Sequence, residues 1–157
     1  MVARTIDVDC YTPGFYCEAS WKLVNMSYGY ECYKFAEDRK PWSYANSECK
    51  AFGSHLPVAH DEEDQVRLAT IIQNTRLPLK ATWLGLKRWW NLKWVEDHST
   101  KPVDMIGYSN WREGYPDATH FYAAMRQLDG EWSTGIGKAE LRFMCFKPAL
   151  KKEIIGN

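Results

Sequence analysis

The residues of this chain with chemistry to offer are five cysteines, four histidines and a scatter of acids, and their spacing speaks against catalysis. His55, His60, His98 and His120 fall at no metal-ligand spacing, and no Gly-x-Ser-x-Gly elbow or phosphate-cradling glycine loop occurs. Without a nucleophile beside a base, a matched carboxylate pair or a metal triad, no enzyme is expected. Cys10, Cys17, Cys32, Cys49 and Cys145 include no Cys-x-x-Cys pair of the kind that holds zinc or runs redox chemistry. They are better read as disulfide partners, which persist outside the reducing cytosol. Asn25-Met26-Ser27 has the pattern of a glycosylation acceptor. Together these features give an extracellular reading, either a secreted chain or the ectodomain of a membrane protein.

Charge and hydropathy narrow the partners. Lys and Arg number 20 and so do Asp and Glu, spread along the chain without clustering, so there is no footprint for nucleic acid or an acidic membrane surface. No apolar run approaches the roughly 18 residues needed to cross a bilayer. Residues 1–9 are too polar for a signal peptide, which suits a mature or excised segment. With 157 residues, 45% of them hydrophobic, the chain has the makings of one domain around one core.

The element that any site must be built on is Trp83-Leu84-Gly85-Leu86, a run too short for a helix and too apolar for one wet face. It reads as a buried strand, with Gly85 marking a close approach by another backbone or a large ring. Trp42, Trp94, Trp111 and Trp132 are the rings available to pack around it. Before it come an irregular leader over 1–20 and two strand-like runs, 21–24 and 31–35, joined by a longer loop that would carry the glycosylation acceptor. Pro41 opens a helix whose inner face is Trp42, Ala45, Cys49 and Phe52, and Gly53 stops it. A short strand over 55–59 follows. Asp61 then caps a second helix with an acidic first turn, burying Val66, Ala69 and one of Ile71 and Ile72. Downstream, 92–95 reads as a strand, and 96–117 is a long aperiodic stretch of the kind that usually carries function. An alternating strand over 121–128, a turn at Asp129-Gly130, a return strand and a last strand over 141–146 complete the pattern.

In this order and spacing the residues resemble a C-type lectin-like domain. The resemblance rests on Cys17 and Trp21; Cys32-Tyr33-Lys34-Phe35; Trp42, Ala45 and Cys49; Leu56-Pro57-Val58; Trp83-Leu84-Gly85-Leu86; Trp94; Asn110-Trp111; Pro116; Trp132; and Phe143-Met144-Cys145. It implies an α+β fold of two helices packed on antiparallel sheets with a long loop region. The domain would span 17–147, between a leader over 1–16 and a tail or linker over 148–157. It also implies two bridges, Cys17 with Cys32 and Cys49 with Cys145. A further bridge of many relatives is absent, its two positions being Ala123 and Gly137. Cys10 is left over: a free or capped thiol, a bridge to a second chain in a disulfide-linked dimer, and re-pairing with Cys17 or Cys32 all stay open.

In sugar-binding relatives the resemblance implies a calcium ion held in the long loop by Glu-Pro-Asn or Gln-Pro-Asp, by an acid before the third strand, and by Asn-Asp after a tryptophan. Here the matching residues are Tyr115-Pro116-Asp117, then His120, Phe121 and Tyr122, then Ser133 and Thr134 after Trp132. Calcium wants six to eight hard oxygens, and only Asp117 keeps a carboxylate, so no cofactor is expected, calcium included. Glu96, Asp97, Asp104 and Glu113 are the other acids of the region; a different calcium site built from them is the alternative to their expected reading as solvated surface charge. What the face offers instead is Trp89, Trp90, Tyr108, Arg112, Glu113, Tyr115, Asp117 and His120, of the types that interfaces favour. The expected function is recognition of an extracellular protein or glycan without calcium. A calcium-dependent lectin and a structural spacer are the rivals, and packing under the loop is the rival role for Trp89 and Trp90.

Overall fold

Thr82 to Leu86 are buried without a break inside strand β4 (Ala81–Arg88), as an unalternating apolar run requires. Trp83 points into a core with Trp42, Cys49, Leu56 and Phe143, whereas Leu84 and Leu86 point into a second with Leu68, Ile72 and Trp132. A Cβ added to Gly85 would stand 2.7 Å from the Leu56 carbonyl oxygen, so the close neighbour is backbone. The Gly85 N–H donates to the Pro57 carbonyl at 2.9 Å, and the Trp42 indole N–H to the Leu84 carbonyl at 2.8 Å.

These residues belong to a computed structural model that describes 14–89, 93–99 and 107–152; Cys10, Trp90 and Asp104 lie outside the described residues. Along the chain come β1 (Phe15–Tyr16), β2 (Lys22–Met26), β3 (Gly29–Phe35), α1 (Trp42–Ala51), α2 (Glu62–Asn74) and β4. After β4 come β5 (Trp94–Glu96), β6 (Tyr122–Arg126), β7 (Trp132–Gly135), β8 (Met144–Pro148) and β9 (Leu150–Lys151). The described strands form three antiparallel groupings, β2-β3-β8, β5-β4-β6-β7 and β1-β9. Both bridges form: Cys17–Cys32 ties the start of the domain to β3, and Cys49–Cys145 ties α1 to β8 across 96 residues.

Several local expectations change in the folded chain. Asn25 lies in β2 opposite Tyr30, exposed but not on a loop, because Met26 already pairs with Gly29 across a two-residue turn. That turn is pinned from outside: the Ser27 N–H and hydroxyl donate to the Asp64 carboxylate at 2.7 and 2.6 Å. Phe52 is 60% exposed, since the helix ends at Ala51 and the chain turns away through Gly53 at φ +67°. On α2, Val66 is 54% exposed, and the inner face is Asp64, Gln65, Leu68 and Ile72. The polar pair is tolerated inside because each has partners, Gln65 Nε2 donating to the Gly130 carbonyl and Gln65 Oε1 accepting from the Trp132 indole at 2.9 Å.

Residues 55–59 form no strand; His55 makes one bridge to Phe146, and Pro57 has no N–H to extend a ladder. Strand β6 buries Ala123, Ala124 and Met125 in succession, because the four-stranded sheet is covered on both faces. The last long strand starts later than the pattern suggests, at Met144, and runs on to Pro148. Beyond it, Leu150 and Lys151 pair with Tyr16 and Phe15, so the chain enters and leaves the fold side by side.

Candidate functional site: the long-loop face

Between β7 and β5 of the four-stranded sheet, a series of rings leads from core to surface. Buried Trp132 meets Tyr108 at 6.0 Å and Trp111 at 5.4 Å between centroids, and Trp111 meets Trp94 at 5.1 Å. The Arg88 guanidinium lies 5.5 Å from the Trp94 ring and 5.6 Å from Phe121, which is 48% exposed. Each step is an off-parallel or cation–π contact, and the Trp111 backbone bridges Trp132 directly. Tyr108 is thus partly spent on the scaffold, its hydroxyl donating to Glu62 Oε2 at 2.7 Å. Burial and that carboxylate push its phenol well above the usual range.

Beyond Trp111 the loop is held by hydrogen bonds that close on themselves. The Arg112 N–H donates to the Trp132 carbonyl and the Tyr115 N–H to the Arg112 carbonyl, both at 2.9 Å, and the Tyr115–Pro116 peptide is cis. Thr119 donates from its N–H (2.8 Å) and its hydroxyl (2.7 Å) to Asp117 Oδ1, holding this carboxyl below its usual range. Thr134 Oγ1 accepts the Asp117 N–H at 3.2 Å and pairs with His120 Nδ1 at 2.8 Å. Arg88 donates to the carbonyls of Asp117 and Ala118. Tyr115, Asp117 and His120 are therefore neighbours on one loop, with exposed Arg112 and Glu113 beside them.

Trp89 sits apart from that group. It is half-buried at the end of β4, its N–H donating to the Lys93 carbonyl at 2.7 Å and the Lys87 ammonium 4.8 Å from its ring. Arg88, Trp94 and Phe121 are the contributors that the sequence reading missed as site residues. A single arginine at a strand end carries no spacing signal, Phe121 stands out in the sequence only as the absence of an acid, and Trp94 reads from the sequence as a packing ring.

The loop acids Glu96 and Asp97 are not solvated charges. Glu96 is 2% exposed and receives His60 Nε2 and His98 Nε2 at 2.8 Å each, with His55 stacked on His98 at 4.1 Å. Burial alone would raise this carboxyl, but the two imidazole hydrogen bonds outweigh it and hold Glu96 at about 2. Asp97 meets Lys87 at 2.6 Å, Lys50 at 3.3 Å and the Asn46 amide at 3.0 Å. Histidines distant in sequence thus converge in space, to hydrogen-bond a buried acid. Among the described residues no group of three or more His, Cys, Asp or Glu is arranged to hold a metal.

Two helices on antiparallel sheets, the two bridges and a long loop laid over the sheet end define a recognition fold. The profile of the lectin C-type domain matches residues 38–147, and the chain belongs to this family. A perlucin-like protein of Mytilus galloprovincialis is 30% identical over 126 residues, covering 74% of this chain and 73% of its own. A C-type lectin of Micrurus corallinus is 31% identical over 151 residues, covering 87% and 84%. The carbohydrate-recognition domain of the mouse scavenger receptor C-type lectin superimposes with a TM-score of 0.69 at 23% identity, over 89% of this chain and all of that one.

Proposed function

We propose that this domain recognises an extracellular protein without calcium, through the long-loop face of Arg112, Glu113, Tyr115, Asp117 and His120, with Trp89 a separate contact at the end of β4. The observation that carries the reading is the state of the oxygens at the positions where the resemblance puts calcium ligands. Asp117 Oδ1 is taken by Thr119, Thr134 Oγ1 by Asp117 and His120, and a phenol stands at Tyr115. One half-buried carboxylate with an oxygen already taken, and a Thr134 hydroxyl already in use, do not fit an ion that needs six to eight oxygens. Exposed Arg112 and Glu113 beside half-buried Tyr115 suit a protein surface instead. A glycan bound through ring contacts is the second reading, favoured by Phe121 and the half-buried Trp94 beside it.

An extracellular setting is supported by the two disulfides, and by Asn25, exposed on β2 for a glycan. The pairing of β1 with β9 brings the two ends of the described chain together, which argues against an end-to-end spacer. The test is capture of partners from extracellular material in chelator, by this domain and by its Tyr115→Ala, Asp117→Ala variant. Capture of a protein by the former alone is expected. Capture that requires calcium, or a melting temperature that rises several degrees with calcium, overturns the reading. A glycan array run in chelator separates the two ligand classes.

A further inference from the structure

Arg88 starts from a fixed point. Its backbone N–H donates to the Phe121 carbonyl at 2.8 Å, joining the end of β4 to the far end of the long loop. From there the guanidinium finds no carboxylate at ion-pair distance among the described residues. It serves backbone instead: Nη2 donates to the Asp117 carbonyl at 2.8 Å and Nη1 to the next carbonyl, of Ala118. The Trp94 and Phe121 rings lie on the cation, and Nε is buried without a hydrogen-bond partner.

A half-buried charged group committed to two neutral carbonyls stabilises the one loop conformation in which both point at it. Residues 117 and 118 lie outside any strand; besides Arg88, the Asp117 carbonyl accepts, among the described residues, only the local His120 N–H at 3.1 Å, a bond within the loop that does not tie it to the sheet. Two adjacent carbonyls need two donors at fixed separation and a flat cation that fits against rings. Guanidinium offers both, and an ammonium is a single point charge.

We propose that Arg88 is the positioning residue of the long loop: a cation built into the chain that draws the Asp117 and Ala118 carbonyls inward and so sets where Tyr115, Asp117 and His120 stand. Its consequence for binding rests on the reading of this loop as the recognition face; its geometry does not. Nothing in the arrangement calls for a metal, because the ordering charge is covalently attached.

The test is amide hydrogen exchange on the ligand-free protein, comparing wild type with Arg88→Gln and Arg88→Lys. The Thr119 and His120 N–H groups both donate to Asp117 and report the loop. In both variants their protection should fall about tenfold or more while the β4–β6 ladder stays protected, the signature of a local opening. Wild-type protection in Arg88→Lys shows that charge alone suffices and overturns the proposal, even if Arg88→Gln fails to fold; so does unchanged protection in Arg88→Gln. The two readings fail separately. A loop that opens in the variants but captures no partner sinks the recognition face and leaves the role of Arg88. A captured partner that binds Arg88→Lys as tightly as wild type does the reverse.

Discussion

The β2-β3-β8 sheet and the long loop are fastened to the same core by different bonds. Strand β8 pairs with β3 over five register positions, carries one end of the Cys49–Cys145 bridge, and exchanges backbone hydrogen bonds with His55 through Phe146. The loop from Gly107 to Phe121 relies largely on side chains: Tyr108 on Glu62, the Asn110 amide on the Gly130 carbonyl, Arg88 on two carbonyls, and Thr134 between Asp117 and His120. A ladder is indifferent to side-chain identity, whereas a loop held by side chains is set residue by residue. The lesson is that this fold can alter what its loop presents without disturbing its sheets.

Breaking the covalent half of that contrast should have the largest effect. Replacing Cys49 and Cys145 together by alanine frees a loop of 96 residues, for which chain entropy gives about 4 to 5 kcal/mol. The same change at Cys17 and Cys32, 15 residues apart, should cost about 3 kcal/mol. Urea midpoints of the two double variants check the order, and equal midpoints would contradict it.

The Glu96 cluster comes next. Its carboxyl lies at about 2 in the fold, below its unfolded value, so its contribution is fully present above the unfolded value and is lost as pH falls from about 4.5 toward 2. That contribution is on the order of 3 kcal/mol. Glu96→Gln should be less stable than wild type at pH 6 and should flatten the acid limb of a stability–pH curve; an unchanged limb would put the acid sensitivity elsewhere.

Gly85→Ala should cost about 2 kcal/mol, because the added methyl meets a backbone oxygen that cannot rotate away. A variant as stable as wild type would show that the 56–57 segment yields. At the loop the contrast is sharpest. Arg112→Ala and Tyr115→Ala should leave stability within about 0.5 kcal/mol. The same variants should weaken partner binding by about tenfold or more, as central interface residues do. Matched losses of folding and binding would make those side chains structural.

Much of this was legible before folding. The buried run at Trp83 to Leu86, the close approach at Gly85, the Asp61 cap and the cysteine pairs of the resemblance all hold in the structure. The loop stood out because it lacks periodicity, and because Tyr115-Pro116-Asp117 departs from the pattern that the resemblance implies. Less legible were polar residues turned inward. Hydropathy assigns Val66 to the core of α2 and leaves Asp64 and Gln65 in water, yet Ser27, Gly130 and Trp132 supply the partners that reverse this. The histidines show the same limit: separated in sequence, His60 and His98 meet on one carboxylate.

By itself the sequence determined what depends on near neighbours: periodicity, caps, turns, covalent pairs by resemblance, and where the loop departs from the family's pattern. The tertiary structure alone decided what depends on distant partners: the burial of Glu96, the inner face of α2, the β1–β9 pairing and the grip of Arg88 on the loop. The division has a physical cause. Backbone preference and apolar spacing act over a few residues, whereas a buried charge or a bent loop is tolerated only where another part of the chain arrives to satisfy it.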